Sequence, residues 1–238
     1  MTSVRLAPGA QPWLPQPSEA LRRVLNVAVA AVGLVAVAPL MAAIACAIKL
    51  TSRGPVFYSQ TRVGLDRRNP DEPPGNSRRL TDYGGRPFRI FKFRTMAPPP
   101  PSPPSPGLAN GAAAEVWATP DDPRVTSLGR ILRSYRLDEL PQLLNVLRGD
   151  MNVVGPRPEQ PTIFARLRGE IEHYQQRQRV RPGITGWAQI NQEYDSSIDN
   201  VRRKVQFDLE YIARQSVFED LRIMLRTLPV VVGKQGAW

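Results

Sequence analysis

Residues 27–48 are 22 consecutive uncharged, mostly apolar residues with Pro39 near the middle, bounded by Arg22 and Arg23 on one side and by Lys49 and Arg53 on the other. At 1.5 Å rise per residue a straight helix of that length covers roughly 33 Å, enough for a hydrocarbon core of about 30 Å. A single membrane span is therefore one reading. Two features oppose it. Pro39 removes a backbone donor and clashes with the preceding turn, which favours a kink at the midpoint. Basic residues flank both ends, whereas a spanning helix carries its excess positive charge on one side. A helix broken at Pro39 has arms of roughly 18 and 15 Å. It would dip to the bilayer middle and return, leaving both basic ends, Arg22 included, on one face. A cleaved signal peptide fits less well, because the apolar run is longer than a typical signal core.

The remainder of the 238 residues is long enough for one domain with its own core. A single cysteine, Cys46, and a single histidine, His173, exclude an internal disulfide and a Cys/His zinc site, so any metal must be held by oxygens. Thirty-two Lys and Arg against twenty-one Asp and Glu give a net charge of +11. That excess points to an anionic partner: nucleic acid, a phospholipid surface or a phosphate-bearing substrate. Charge alone does not choose among them.

Residues 1–20 are Pro-rich without periodicity and read as a disordered arm, and 21–50 hold the membrane helix. Residues 51–238 then form the folded body, interrupted by two low-complexity inserts at 66–85 and 97–114. The β-branched and aromatic residues of 55–60 and 87–94 predict two short strands. Beyond residue 121 the pattern is helical. Leu140, Leu143, Leu144 and Leu147 recur at helical spacing, with Gly149 as the closing residue. Phe164, Leu167, Ile171 and Tyr174 mark a second helix, with Pro161 near its start, and Val201, Val205 and Ile212 a third. Leu221, Met224, Leu225 and Leu228 mark a fourth, basic and amphipathic, suited to packing on the body or to lying on a membrane surface.

Three constellations carry chemistry. Asp138 and Glu139 precede Pro141, which is tolerated only in a first helical turn, so the pair is expected at a helix start with Asp138 as N-cap. Capping alone would account for both. A carboxylate that attacks phosphorus, however, needs cations to offset its repulsion from an anion. Lys92, Arg94, Arg133, Arg136, Arg157 and Arg181 are the candidates, and a hard cation such as Mg²⁺ serves the same end. In Gly155-Pro156-Arg157-Pro158, two prolines fix the backbone around an arginine suited to gripping a phosphate bidentately. Arg181-Pro182-Gly183-Ile184-Thr185-Gly186-Trp187 repeats the theme with an aromatic that is either core or a stacking platform. Lys204, Asp208 and Tyr211 share one helical face, where a solvated ion pair is the plain expectation, and His173 reads as structural.

Together these stretches resemble a known family. The segments carrying the likeness are Gly54-Pro55-Val56-Phe57-Tyr58-Ser59-Gln60, Phe91-Lys92-Phe93-Arg94-Thr95-Met96, Leu137-Asp138-Glu139-Leu140-Pro141-Gln142-Leu143-Leu144-Asn145-Val146, Gly149-Asp150-Met151, Val154-Gly155-Pro156-Arg157-Pro158 and residues 181–189. In this order they resemble the bacterial sugar transferases, the monotopic polyprenyl-phosphate phosphoglycosyl transferases, in a minimal single-unit form.

The resemblance implies an α-rich α+β fold, a compact membrane-associated domain with an N-terminal re-entrant helix and a small β-hairpin. It implies transfer of sugar-1-phosphate from a nucleotide sugar, usually a UDP-sugar, to undecaprenyl phosphate, the step that initiates exopolysaccharide, lipopolysaccharide or glycoconjugate assembly. Asp138 is then the nucleophile that forms a phosphosugar intermediate and Glu139 its dyad partner. Mg²⁺ is expected at Asp138, and Lys92, Arg133, Arg157 and Arg181 are expected to hold phosphates. The body is expected on the cytoplasmic face of a bacterial inner membrane, with no nucleic-acid partner and with homo-oligomerisation left open. The family's usual Ser-Pro at the helix break is Ala38-Pro39 here. The competing readings are a membrane-anchored basic module that binds nucleic acid or anionic lipid without catalysis, and an inactive transferase.

Overall fold

The computed structural model describes residues 17–68, 82–97, 122–192 and 197–233. The arm up to residue 16 and most of both expected inserts lie outside the described residues. Helix α1 (Pro17–Thr51) begins inside the stretch read as an arm, so that boundary moves from residue 20 to residue 17. The sequence reading also breaks α1 at Pro39, whereas the structure carries one helical element across it. A proline removes one donor from the ladder, and here the flanking turns keep theirs.

Both arms of α1 dock on the same body. Arg22 is buried against Asp220, the Asn26 side chain accepts from the Val153 N–H at 2.5 Å, and Ala30 joins a cluster with Phe88, Ile90, Val146 and Met151. Further along, Ile44 and Ile48 pack on Phe93 and Leu132. The last turn is closed by Arg94, whose guanidinium donates to the Ser52 and Arg53 carbonyls at 2.9 and 2.7 Å. Gly54 makes room for it: with φ +119° in the left-handed half of the map, a Cβ there would lie 2.1 Å from an Arg94 nitrogen. Between the arms one face stays open, while Gly33, Leu34, Val37 and Met41 remain half-buried. Val35, Ala36, Ala38, Pro39 and Leu40 are exposed. Among the described residues, α1 is the one helix long and apolar enough to cross a membrane, with mean hydropathy 2.5.

Strands β1 (Phe57–Val63) and β2 (Pro87–Phe93) form the expected hairpin, paired antiparallel from Phe57↔Phe93 to Val63↔Pro87. A strand in a two-stranded sheet leaves one edge unpaired. For β2, Asn145 supplies the missing partners, accepting from the Phe91 N–H at 3.0 Å and donating to the Arg89 carbonyl at 2.7 Å. Asn145 sits on α3 (Gln142–Arg148), which ends at Gly149 with φ +86°, as the leucine periodicity predicts.

A second, parallel pair joins β3 (Asn152–Val154) to β4 (Gly183–Thr185), a pairing the pattern did not announce. It depends on glycine at the crossing, because a Cβ on Gly155 would lie 2.4 Å from the Arg181 carbonyl and one on Gly183 2.1 Å from the Gly155 nitrogen. The remaining helices are α2 (Ser127–Ser134), α4 (Pro161–Glu170), α5 (Trp187–Asn191), α6 (Ile198–Arg214) and α7 (Val217–Val232). Helix α4 is shorter than its apolar pattern. Ile171 and Tyr174 belong to the same core cluster as Phe164 and Leu167, but they reach it from beyond the helix end. Helix α7 packs through Asp220 and Ile223, both fully buried, while Phe218, Leu221, Leu225 and Leu228 form an exposed apolar stripe.

Candidate active site

The acidic pair sits between α2 and α3. Arg136, in the left-handed conformation at φ +54°, separates α2 from a 3-10 turn, Leu137–Glu139, that closes with the Glu139 and Leu140 amides donating to the Arg136 and Leu137 carbonyls. A non-glycine residue there carries strain of order 1 kcal/mol, a cost typical of functional sites. Asp138 is not an N-cap. Helix α3 starts at Gln142 with Pro141 in the cap position, so both carboxylates belong to the turn before it and neither caps the helix. Both are buried, at 6% and 7% exposure.

Two cations from different elements meet them. Lys92 on β2 donates to Glu139 Oε1 at 2.6 Å and stands 3.6 Å from Asp138 Oδ2. Arg157, beyond β3, grips Glu139 with both terminal nitrogens, at 2.7 and 3.3 Å. This separates the two acids electrostatically. Burial alone would raise Glu139, but Arg157 and Lys92 outweigh it and hold the group well below the usual carboxylate range. Burial dominates at Asp138 and, with the neighbouring Glu139 charge, raises it against the pull of Lys92, Arg157 and Arg133. Glu139 is thus a fixed anion, and Asp138 is the sparsely partnered, poorly solvated oxygen pair.

Arg133 lies on α2, its Nε donating to Thr95 Oγ1 at 3.0 Å, close enough to act on Asp138 through its charge. Arg136 also feels the charges of Arg157, Glu139 and Asp138. Arg181 is elsewhere. It donates to the Gly149 carbonyl at 3.2 Å and to Glu19 at 2.9 Å, and lines a small cleft with Arg67, Arg86 and Asp150. Arg94 is committed to the end of α1. Arg22 faces the protein interior at 5% exposure, paired with Asp220, Tyr211 and Gln215. Trp187 is core: its Nε1 donates to Glu210 and the guanidinium groups of Arg214, Arg222 and Arg226 lie against its ring. His173 is exposed, beside Glu172.

Gln142 escaped the sequence reading. It lies one turn after Asp138, is 1% exposed, and its carboxamide nitrogen is buried without an acceptor among the described residues. Its i+4 spacing from Asp138 was the available signal. Lys204 and Asp208 are not a solvated pair, since they are 8% and 2% exposed and bind different partners, Glu159 at 3.0 Å and Arg177 at 2.7 Å.

Among the described residues no group of three or more His, Cys, Asp or Glu side chains is placed to hold a metal ion. With Glu139 taken up by Lys92 and Arg157, Asp138 is left as one carboxylate donor. A single carboxylate fits Mg²⁺ only where substrate phosphates and water complete its shell.

The model of the bacterial sugar transferase family matches residues 17–234. A UDP-glucose:undecaprenyl-phosphate glucose-1-phosphate transferase of Escherichia coli K12 is 38% identical over 87% of this chain, and the match takes in 39% of its own length. A protein of the same description from Caulobacter vibrioides is 39% identical over 98% of this chain and 77% of its own. The exopolysaccharide production protein ExoY of Sinorhizobium fredii is 34% identical, with 95% of both chains covered. The chain spans less than half the length of several curated relatives it matches, the Escherichia coli protein among them. With the family model covering nearly all of its residues, this chain belongs to the bacterial sugar transferase family.

Proposed function

We propose that this protein transfers sugar-1-phosphate from a nucleoside diphosphate sugar, a UDP-sugar in the first instance, to undecaprenyl phosphate, and so initiates assembly of a polysaccharide or glycoconjugate. The observation that carries this is the split acidic pair: Glu139 locked by Lys92 and Arg157, Asp138 buried beside it with one cation at 3.6 Å. The relatives named above as UDP-glucose:undecaprenyl-phosphate transferases support the same reading.

In this mechanism an Asp138 carboxylate oxygen attacks the sugar-bearing phosphorus. The new O–P bond forms as the bond to the nucleoside monophosphate breaks, and that product leaves with the electron pair. An oxygen of the lipid phosphate then attacks the same phosphorus, forming the lipid diphosphate sugar and releasing the Asp138 carboxylate. One displacement between two anions becomes two easier steps. Lys92 and Arg157 offset the phosphate charge, with Arg133 adding to the field, and Glu139 holds both cations in place. Mg²⁺, held by Asp138 and diphosphate oxygens, would supply further neutralisation when bound.

The membrane reading rests on α1 and α7. Two arms docked on the same body, with a largely exposed apolar stretch around Pro39 between them, support placing α1 in one leaflet with both basic ends on one side. The stripe Phe218, Leu221, Leu225 and Leu228 gives that body an apolar face to lay on the lipid surface. The body then lies on the cytoplasmic side of the inner membrane, where nucleotide sugars are found.

The test is release of nucleoside monophosphate by detergent-solubilised protein from a panel of UDP-sugars with Mg²⁺ and undecaprenyl phosphate. Lipid-dependent UMP release from a panel member, lost in Asp138→Asn, is expected. Turnover retained at a near-parental rate in Asp138→Asn contradicts the nucleophile assignment.

A further inference from the structure

Three residues on one face of α6 hold three successive points of the segment that carries Arg157. The Tyr211 hydroxyl lies 2.8 Å from Asp220 Oδ1 and 3.2 Å from the Val154 carbonyl, so its one proton is shared between α7 and the segment. Asp208 accepts from Arg177 Nε at 2.7 Å, and the Arg177 Nη2 donates to the Arg157 carbonyl at 3.1 Å. Lys204 donates to Glu159 Oε1 at 3.0 Å. The order is antiparallel: 211 and 204 on the helix meet 154 and 159 on the segment directly, and 208 reaches 157 through Arg177. Over seven residues the helix rises about 10 Å, so these contacts are spread along the segment and not gathered at one point.

Stability alone does not account for this arrangement. Lys204, Asp208 and Tyr211 are 8%, 2% and 1% exposed, and Arg177 is 1% exposed. Burying such groups costs desolvation that their pairing only offsets, and well-packed apolar residues serve the core as well or better. What the polar face provides is position. Each of the three guanidinium nitrogens of Arg177 donates, to Asp208, to the Tyr174 hydroxyl at 2.9 Å and to the Arg157 carbonyl. The Arg157 backbone is thereby fixed while its guanidinium remains on Glu139.

We propose that Lys204, Asp208 and Tyr211 are positioning residues of the transferase site, which hold residues 154–159 along α6 and so set the Arg157 guanidinium against Glu139 and the substrate phosphates. The proposal rests on the reading of the acidic pair given above. Its effect on turnover passes through Arg157, and that makes it separable from a structural role.

The experiment is a double-mutant cycle on the full chain in detergent with lipid, pairing Asp208→Asn or Tyr211→Phe with Arg157→Ala. In the parent background each α6 substitution is expected to lower kcat/KM by about tenfold to a hundredfold, the size of effect that misplacing a catalytic group produces. In the Arg157→Ala background it is expected to add nothing. Equal losses in both backgrounds overturn the proposal. Tyr211→Phe removes a single oxygen, but one that also meets Arg22 and Asp220, so Lys204→Met is run beside it to keep the test available if Asp208→Asn fails to fold. Hydrogen exchange at Gly155, Arg157 and Glu159, read in the same variants, is independent of turnover. Faster exchange confined to these amides is expected, and unchanged exchange overturns the positioning role. A parent that turns over no donor counts against the proposed function, while the exchange result still decides the placement.

Discussion

Asp138 and Glu139 are adjacent, equally buried and electrostatically opposite, because Arg157 reaches only one of them closely. Removing the Glu139 charge as Glu139→Gln leaves Lys92 and Arg157 without their shared anion. We expect turnover to fall by about a hundredfold or more with little change in membrane association, since misplaced charged groups cost rate before they cost fold. Donor kinetics and membrane flotation check this together. Glu159 gives a pH prediction. Burial would raise it, but Lys204, Arg177 and Arg62 hold it at about 2 against an ordinary 4.5. Because its folded value is depressed, its stabilisation is complete above about pH 4.5 and is lost as pH falls toward 2, on the order of 3 kcal/mol in all. The thermal midpoint in detergent should therefore drop more steeply between pH 5 and pH 3 in the parent than in Glu159→Gln. Parallel pH profiles would contradict it. The sequence made Arg157 and Arg181 look alike, each in a Pro-fixed turn. What separates them is long-range, Glu139 for one and the Gly149 carbonyl and Glu19 for the other, and no local pattern carries that.

Elements legible from the chain are those with a single apolar destination. The hairpin and α3 fall where β-branched content and leucine spacing put them, with Gly149 as the stop. The start of α3 is later than expected because Pro141 takes the cap position itself, leaving Asp138 and Glu139 in a turn. Helix α7 shows a different limit. Its apolar stripe is real, but the residues on the body are Asp220 and Ile223, and the periodicity does not tell lipid-facing from core-facing when both accept apolar side chains. The join of β2 to α3 depends on Asn145, whose side chain closes the strand edge. Asn145→Ala leaves the Phe91 N–H and Arg89 carbonyl unsatisfied and should destabilise the protein by about 1–3 kcal/mol. A thermal midpoint unchanged in that variant would show that the edge finds other partners.

At the scale of the molecule, a helix docked at both ends joins a site assembled from β2, the turn before α3 and the segment after β3. Pro39→Ala restores the missing donor in the exposed stretch of α1. It should shift the helix toward spanning, so that accessibility labelling of its two ends, same-sided in the parent, becomes divided in the variant. Same-sided ends in both would remove Pro39 as the determinant. Covalent transfer through Asp138 is open to mass spectrometry of the intact protein after mixing with the donor sugar nucleotide, before lipid is added. A single sugar-phosphate mass increment is expected, mapped to the Asp138 peptide after digestion, absent from Asp138→Asn and discharged by undecaprenyl phosphate. Turnover without any adduct, or an adduct that persists in Asp138→Asn, would contradict it.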